Sequence, residues 1–277
     1  MIENLHHEVV ISIIHKYKTD GHSPYLVLTN GFHRYVLKTP NNVYDRHSIL
    51  KEFLCTQLLH VWQISTPRIA SLAISPVLTD SDIITQDKRF NLSSVFFGSE
   101  FIEHSVDLQN FITAPGKVAL RKIHNANDLI LIALFDIWTE NDDRKPSNNN
   151  LLLHPEGKGM KLIPIDHAAT FSSMEISSIQ REYVSFSDND SILYCPLGKG
   201  VIQHASHAGD LLTRTKEMFY LCTDNVATYF ELICRNMPPE FSLSKQETAG
   251  LRAFLLNPDR NKKVFEQFTY IVNSILK

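Results

Sequence analysis

Two short polar segments, 142–153 and 163–171, constrain this chain more than any other feature of its sequence. The first places Asp143 five residues before Asn148 and continues into three leucines, and the second is an apolar run that ends at Asp166. A short turn between the two apolar runs predicts a hairpin whose polar ends face one point. Carboxylate and amide oxygens suit Mg²⁺, and enzymes that transfer the γ-phosphoryl group of ATP need these groups in this order.

The polar side chains in these segments have distinct expected roles. Asn148 and Asp166 would supply the protein oxygens to Mg²⁺, and Asp143 would accept the proton of an incoming hydroxyl group or align it. Arg144 could pair with Asp143 or with a nearby acidic group and fix the loop. Asn150 is a second candidate for the role of Asn148, because asparagine also occupies that position. The first segment alone has the composition of an ordinary surface turn; the order and spacing of the two segments favour a metal site.

The N-terminal part of the chain has the pattern of an antiparallel meander. Residues 8–17, 25–29 and 33–38 read as strands, and an Asn-Gly dipeptide before the third strand is a strong hairpin signal. Lys38 therefore falls on the third strand, where kinases carry the lysine that binds the ATP phosphates. A solvated lysine at a sheet edge is the alternative, and the downstream segments favour the phosphate role.

The loop between the first two strands would lie over the phosphates. Gly21 and Ser23 would let backbone N–H groups and a hydroxyl group approach the phosphate oxygens. The loop lacks a G-x-G-x-x-G pattern, so a plain hairpin turn is the alternative.

A helix is predicted over residues 44–62. Its apolar residues recur at spacings of three and four and mark one face: Ile49, Phe53, Leu58 and Val61. Glu52 lies on this helix and is the candidate partner that holds Lys38 in place. A further strand around residues 95–103 would lead out of the small sheet, and its backbone groups would meet the adenine edge at Glu100, Phe101 and Ile102.

The chain resembles the HipA-like kinases, a bacterial branch that is distantly similar to lipid kinases and HipA toxins. The resemblance covers nearly the whole chain, is most specific between residues 143 and 166, and rests on Gly21-x-Ser23-Pro24, Tyr35-Val36-Leu37-Lys38, Phe97-Gly98-Ser99, Asn141-Asp142-Asp143-Arg144-x-x-x-Asn148 and Ile165-Asp166-His167. It implies a protein-kinase-like fold, ATP with Mg²⁺ as cofactors, and transfer to a hydroxyl group. By position, the catalytic aspartate, the ATP lysine and the metal ligands of the family correspond to Asp143, Lys38, Asn148 and Asp166.

The chain departs from the family pattern in two places. Lys145 stands where the relatives commonly have histidine in an Asp-Arg-His sequence, and the second metal motif is Asp166-His167-Ala168 where protein kinases have Asp-Phe-Gly. Lys145 could contact a phosphate in place of the histidine, or it could mark altered activity.

The expected architecture is an α+β, protein-kinase-like fold with two lobes. Residues 1–102 would form a small N-lobe, a mainly antiparallel sheet with one helix that covers ATP. Residues 103–277 would form a larger, mostly helical C-lobe with the catalytic loop and metal site, and both lobes together would make one HipA-like kinase domain. Helices in the C-lobe are predicted over residues 129–138, 209–236 and 243–277.

Composition excludes several functional classes. The formal net charge is −3, with 27 basic and 30 acidic residues, so the chain lacks the basic footprint of direct nucleic acid binding. No apolar run approaches the ~20 residues that span a bilayer, and the N-terminus lacks the features of a signal peptide. Four scattered cysteines fit reduced thiols. The expected location is the cytoplasm.

Three functional hypotheses follow. The first is an ATP- and Mg²⁺-dependent kinase whose acceptor is a serine or threonine hydroxyl of a protein. The second is a nucleotide-binding pseudokinase that acts as an interaction module of a toxin-antitoxin-like system, which Lys145 and the missing glycine-rich loop keep open. The third is a small-molecule phosphotransferase of the antibiotic-phosphotransferase type, which usually has a histidine before the catalytic aspartate, whereas this chain has Glu140-Asn141-Asp142.

Overall fold

The computed structural model describes residues 5–18, 23–40, 42, 45–79, 81–110, 116–179, 183–205 and 208–277. Its strands are β1 (His6–Lys16), β2 (Tyr25–Thr29), β3 (Arg34–Lys38), β4 (Ile69–Ile74), β5 (Phe96–Glu100), β6 (Val106–Asp107), β7 (Leu151–Glu156) and β8 (Gly159–Pro164). Its α-helices are α1 (Arg46–Val61), α2 (Asp82–Gln86), α3 (Lys117–Leu120), α4 (Asp128–Thr139), α5 (Pro196–Gln203), α6 (Ala208–Arg235), α7 (Lys245–Leu256) and α8 (Pro258–Leu276). The fold is therefore mixed α+β, as predicted.

The five N-terminal strands close into a small barrel in the order β1-β2-β3-β5-β4. Neighbouring strands run antiparallel except β1 and β4, which pair in parallel and close the barrel. Alternating side chains of β2 and β3 fill its interior, among them Val27, Tyr35 and Leu37. The meander was predictable from local turn signals; the closure was not, because it joins strands far apart in the sequence.

Helix α1 connects the barrel to the helical part of the chain. It is buried along nearly its whole length and belongs to the larger apolar core, together with the C-terminal helices. Trp62, just after α1, packs against Trp138 of α4 with ring centroids 5.1 Å apart. A polar side chain on such a helix must find a partner inside the protein. Glu52 is such a side chain, because it lies on α1 and is buried.

The β7–β8 hairpin brings the two polar segments together. Leu151 pairs with Pro164 at its open end, and the N–H of Ile165 donates to the carbonyl of Asn150 at 3.0 Å. The loop that precedes β7 and the turn that follows β8 consequently lie side by side, as the sequence predicts.

The C-terminal helices correct one expectation. The single helix predicted over 243–277 is two helices, α7 and α8, which meet at Asn257-Pro258. The Asn257 side chain accepts hydrogen bonds from the N–H groups of Asp259 and Arg260, so it caps α8. Proline lacks the N–H that would continue α7 but suits the first turn of α8. Among the described residues, no helix has both the length and the apolar character needed to cross a bilayer.

Candidate active site

Lys38, the last residue of β3, contacts two carboxylates from other elements. Its Nζ forms an ion pair with Glu52 of α1 and lies 2.9 Å from Oδ1 of Asp166, which follows β8. The other oxygen of Glu52 accepts a hydrogen bond from the backbone N–H of His167 at 3.1 Å. The expected contact of Lys38 with Glu52 is present, and this cluster joins the barrel, α1 and the turn after β8.

The two carboxylates of the cluster differ in their electrostatics. Burial opposes the charge of Lys38, but Asp166 and Glu52 hold the pKa of this lysine above its ordinary value. Burial raises the pKa of Glu52 to about 7 despite the nearby lysine. Burial would also raise the pKa of Asp166, but Lys38 holds it below the ordinary range. Asp166 is thus the carboxylate that keeps its charge, and with a side chain 39% exposed against 2% for Glu52 it is the one a cation can reach.

Asp143 receives hydrogen bonds from two asparagines. Nδ2 of Asn148 and Nδ2 of Asn150 donate to the same carboxylate oxygen at 2.9 Å and 3.2 Å. The amide nitrogens are used in this way, so the amide oxygens are the atoms left for a cation. Both asparagines remain candidates for the metal, because the structure gives them equivalent contacts with Asp143.

A tight turn and a buried arginine fix this loop. The backbone groups of Lys145 and Asn148 exchange hydrogen bonds of 3.0 and 2.9 Å. Arg144 is fully buried and pairs with Asp136 of α4, so the acidic partner expected for it is Asp136 and not Asp143. Its guanidinium also donates to the carbonyl of Ile165 at 2.8 Å. Arg144 therefore links the loop that carries Asp143 to the turn that carries Asp166.

His167 completes the link as a neutral ring. Burial lowers its pKa well below the ordinary value, and the charge of Arg144 acts in the same direction. The Nδ1 atom lies 3.0 Å from the Arg144 guanidinium, and because a guanidinium only donates, this nitrogen is the acceptor. His167 thus helps to fix the conformation of the loop through its contact with Arg144.

Backbone conformation marks the same two places. Asp166 and Asn150 have φ values of 60° and 47°, in the left-handed region that aspartate and asparagine enter more readily than other side-chain-bearing residues. Asn150 accepts the hydrogen bond from the N–H of Ile165, and Asp166 is the residue that follows Ile165. Left-handed backbone at these points turns the chain sharply where the candidate metal ligands are presented.

The expected adenine contacts are only partly available. The N–H of Glu100 donates to the carbonyl of Arg68 at 2.8 Å, and the N–H of Phe101 donates to that of Arg34 at 2.9 Å. Two of the three expected N–H donors are therefore already used within the barrel. Within the described residues, only the Ile102 N–H among these three has no protein acceptor.

The predicted phosphate loop is described in part. Gly21 lies outside the described residues. Ser23 has a φ of 42°, and its carbonyl accepts a hydrogen bond from Arg89 at 3.4 Å. It lines a cavity of about 590 Å³ on the side of the barrel that carries Asp87 and Arg89. Ser23 is thereby tied to the segment between β4 and β5, a contact that the sequence did not indicate.

Asp136 is the residue that the sequence analysis missed. It lies in the apolar run of α4 and is 1% exposed, and both Arg144 and Asn141 bond to its Oδ1. A lone carboxylate in a buried helix needs a partner, so the signal was present in the run 129–138. The sequence did not indicate which residue that partner would be.

The donor set fits Mg²⁺ held jointly by protein and nucleotide. Among the described residues, no group of three or more histidine, cysteine, aspartate or glutamate side chains could hold a metal alone. Mg²⁺ commonly takes one or two carboxylates plus phosphate oxygens and water. Asp166, with an amide oxygen of Asn148 or Asn150, would supply that smaller share.

Comparisons with known proteins give one family match and two similar solved structures. A family model described as HipA-like kinase matches residues 10–262. The crystal structure of the Helicobacter pylori proinflammatory kinase CtkA superposes with a TM-score of 0.50 at 13% identity, over 95% of this chain and 96% of that one. HipA of Shewanella oneidensis, in a toxin-antitoxin complex with HipB and operator DNA, gives a TM-score of 0.49 at 10% identity, over 94% and 67%. No curated protein matches the chain.

Proposed function

The chain belongs to the HipA-like kinase family, and we propose that it is an ATP- and Mg²⁺-dependent kinase that transfers the γ-phosphoryl group to a hydroxyl acceptor. The observation that carries the proposal is the meeting of Lys38, Glu52 and Asp166 in one ion-pair cluster. A second support is Asp143, oriented by two amides on the adjoining loop. Phosphoryl transfer relies mainly on positioning and charge neutralisation, and these contacts supply both.

Each residue has one role in the proposed reaction. Lys38, held by Glu52, binds the α- and β-phosphates. These phosphates compete with Asp166 for the lysine, so nucleotide binding frees the Asp166 carboxylate for the metal. Asp166 and Asn148, with Asn150 as the rival, would hold Mg²⁺, which would supply positive charge beside the phosphates. Asp143 aligns the acceptor hydroxyl and takes its proton.

The proposal extends to the arrangement of the nucleotide. Residues 1–102 and 103–277 act as two lobes, with ATP between the barrel and the helical part. Gly21 and Ser23 approach the phosphates, and adenine meets the segment from Glu100 to Ile102, where the Ile102 N–H is the donor. The acceptor we propose is a serine or threonine of a protein, since Asp143 is partly exposed and so open to a large substrate.

Transfer of radiolabelled γ-phosphate tests this function. The purified chain is incubated with labelled ATP and Mg²⁺, alone and with a cell lysate, and the labelled species and labelled amino acids are identified. We expect label on protein serine or threonine, and none with Asp143→Asn. Label on a small molecule would move the acceptor to that class.

A binding measurement separates the pseudokinase alternative. Stabilisation of the chain by ATP with Mg²⁺, measured as a shift in Tm without any phosphoryl transfer, would favour a nucleotide-binding module. No stabilisation and no transfer would contradict both assignments.

A further inference from the structure

Helix α6 carries a stripe of partly exposed apolar side chains along one side. Met218, Leu221, Tyr229 and Leu232 are 43, 54, 42 and 42% exposed. The adjoining face of this 28-residue helix, about 100° around the axis from the stripe, is buried in the main core through Phe219, Cys222, Val226, Phe230 and Ile233. The apolar surface of α6 is therefore wider than the part that the core covers, and the stripe is its partly exposed edge.

The exposed side chains form a straight line. With 3.6 residues per turn, Met218, Leu221, Asn225, Tyr229 and Leu232 fall within an arc of about 80° around the helix axis. The line from the first to the last of them is about 21 Å long at 1.5 Å per residue. Contiguous exposed apolar surface of this kind marks interaction sites, whereas isolated apolar residues do not.

The stripe has the same pattern in both directions from its centre. Leu221 and Tyr229 lie four residues to either side of Asn225, and Met218 and Leu232 lie seven residues to either side. Two antiparallel copies of α6 related by a two-fold axis at Asn225 would place Met218 opposite Leu232 and Leu221 opposite Tyr229. A two-fold interface between identical chains requires such self-complementarity.

The charges beside the stripe suit the same pairing. Glu217 and Arg235 are exposed and lie 18 residues apart, which is five full helical turns, so they project on one flank. In the antiparallel pair, Glu217 of one copy lies beside Arg235 of the other. The opposite charges of Glu217 and Arg235 favour this antiparallel register. The register also brings the two copies of Asp224 to about 3 Å from each other along the helix axes, and this repulsion lowers the affinity.

We propose that the apolar stripe of α6 forms a two-fold symmetric, antiparallel interface with a second copy of this chain. Eight apolar side chains, four from each copy, lie at its centre, and the Glu217–Arg235 pairs lie at its ends. A single pair of helices buries a small interface, so the dimer is reversible and depends on concentration. The proposal rests on α6 alone and does not depend on the assignment of the active site.

Mass measurement across a concentration series is the first test. Light scattering after size exclusion, or sedimentation velocity, should show the wild-type chain changing from monomer to dimer between about 1 and about 100 μM. Leu221→Glu places a charge at the centre of the stripe and should leave only monomer. Tyr270→Glu alters an equally exposed aromatic residue on α8, 60% exposed, and should leave the dimer unchanged. A wild-type chain that stays monomeric throughout overturns the proposal.

A charge exchange separates lost association from lost folding. Glu217→Arg should weaken the dimer by at least about tenfold in Kd, because arginines then meet across the interface. Adding Arg235→Glu to the same chain restores opposite charges and should recover most of the affinity. A double variant as weak as Glu217→Arg alone contradicts the antiparallel register.

Cross-linking tests the position of the two-fold axis. Asn225→Cys places one thiol at the axis, next to its own copy, and mild oxidation should give a disulfide-linked dimer. Lys216→Cys, on the far side of α6, should remain monomeric under the same conditions. Equal cross-linking of both variants would show random collision and would remove α6 as the interface.

Discussion

Two groups of buried charges in this protein differ in how completely they are satisfied. Lys38 stands alone against the carboxylates of Glu52 and Asp166, and one of these carboxylates remains partly open to solvent. Glu140 and Arg260 form a pair in which both side chains are fully buried. The first group is short of positive charge and has an open edge, where the proposed cation and nucleotide would enter. The second group is closed to solvent, and its role is to stabilise the folded chain.

Hydrogen bonding explains the difference. Glu140 accepts hydrogen bonds from Arg260, from the backbone N–H of Ser185 and from the hydroxyl groups of Ser172 and Ser185. Burial acts to raise the pKa of Glu140, but these donors hold it below the ordinary value. Glu52 has fewer donors, and burial raises its pKa. A charge with few hydrogen-bond donors and a raised pKa at an open site indicates a functional role. A core charge with several donors indicates a structural role.

The largest expected effect is on turnover in the open cluster. Asp166→Asn should lower phosphoryl transfer by about 10⁴-fold, because the anionic ligand of the proposed metal is lost. The fold should persist, since the variant leaves Lys38 paired with Glu52. Steady-state kinetics and a thermal melt of the same preparation measure the two effects. A variant that unfolds while keeping its activity per folded molecule would make the open cluster structural and remove the contrast.

Removal of a charge from the closed pair should have the opposite result. Arg260→Ala leaves Glu140 buried without its cation and should lower the free energy of unfolding by about 3 to 5 kcal/mol. Lys262→Ala, on the same helix in an exposed pair with Glu266, should change it by less than about 0.5 kcal/mol. Denaturant unfolding compares the two. Equal losses would show that burial does not distinguish these pairs.

Glu52 is a smaller test within the open cluster. Glu52→Gln keeps the shape of the side chain but removes the carboxylate that pairs with Lys38, so we expect a decrease of about 30-fold in kcat/KM for ATP. The unfolding midpoint should stay level or rise, because a buried carboxylate with a raised pKa is replaced by a neutral amide. Kinetics at several ATP concentrations would measure the first effect. Unchanged kinetics would show that Lys38 needs no partner.

These contrasts also separate what the sequence could predict from what it could not. The positions of Lys38, Asp143 and Asp166 could be inferred, because strand order and hairpin spacing are local properties of the chain. The break at Pro258 was also readable, since asparagine followed by proline is a helix-start signal. It was missed because the apolar spacing continues across it.

Long-range contacts could not be inferred in the same way. Burial of Arg144 against Asp136, and of Arg260 against Glu140, depends on how helices pack. The N–H groups of Glu100 and Phe101 are occupied because neighbouring strands come from distant parts of the sequence. A pattern indicates that a polar residue needs a partner, and only the fold selects the partner.

Lys51 is a third kind of buried charge and gives the smallest predicted effect. It is 2% exposed, and no hydrogen bond or ion pair joins it to the described residues. Burial lowers its pKa to about 8 from an ordinary value of 10.5, although Cys55, Asp142 and Asp45 oppose the shift. The unfolded chain therefore binds the extra proton between pH 8 and 10.5, so the destabilisation is complete below about pH 8 and fades as the pH rises through this window.

Lys51→Met should therefore stabilise the fold by about 1 to 2 kcal/mol at pH 7, because the cost of the buried charge is removed. The gain over wild type should shrink as the pH rises from 8 to 10, as measured by denaturant unfolding at each pH. Lys122→Met, at an exposed lysine, should give no such trend and controls for the loss of one charge. A Lys51→Met chain less stable than wild type at pH 7 would mean that the fold stabilises this lysine, as it does Arg260, and that of these three groups of buried charge only the open cluster around Lys38 is unbalanced.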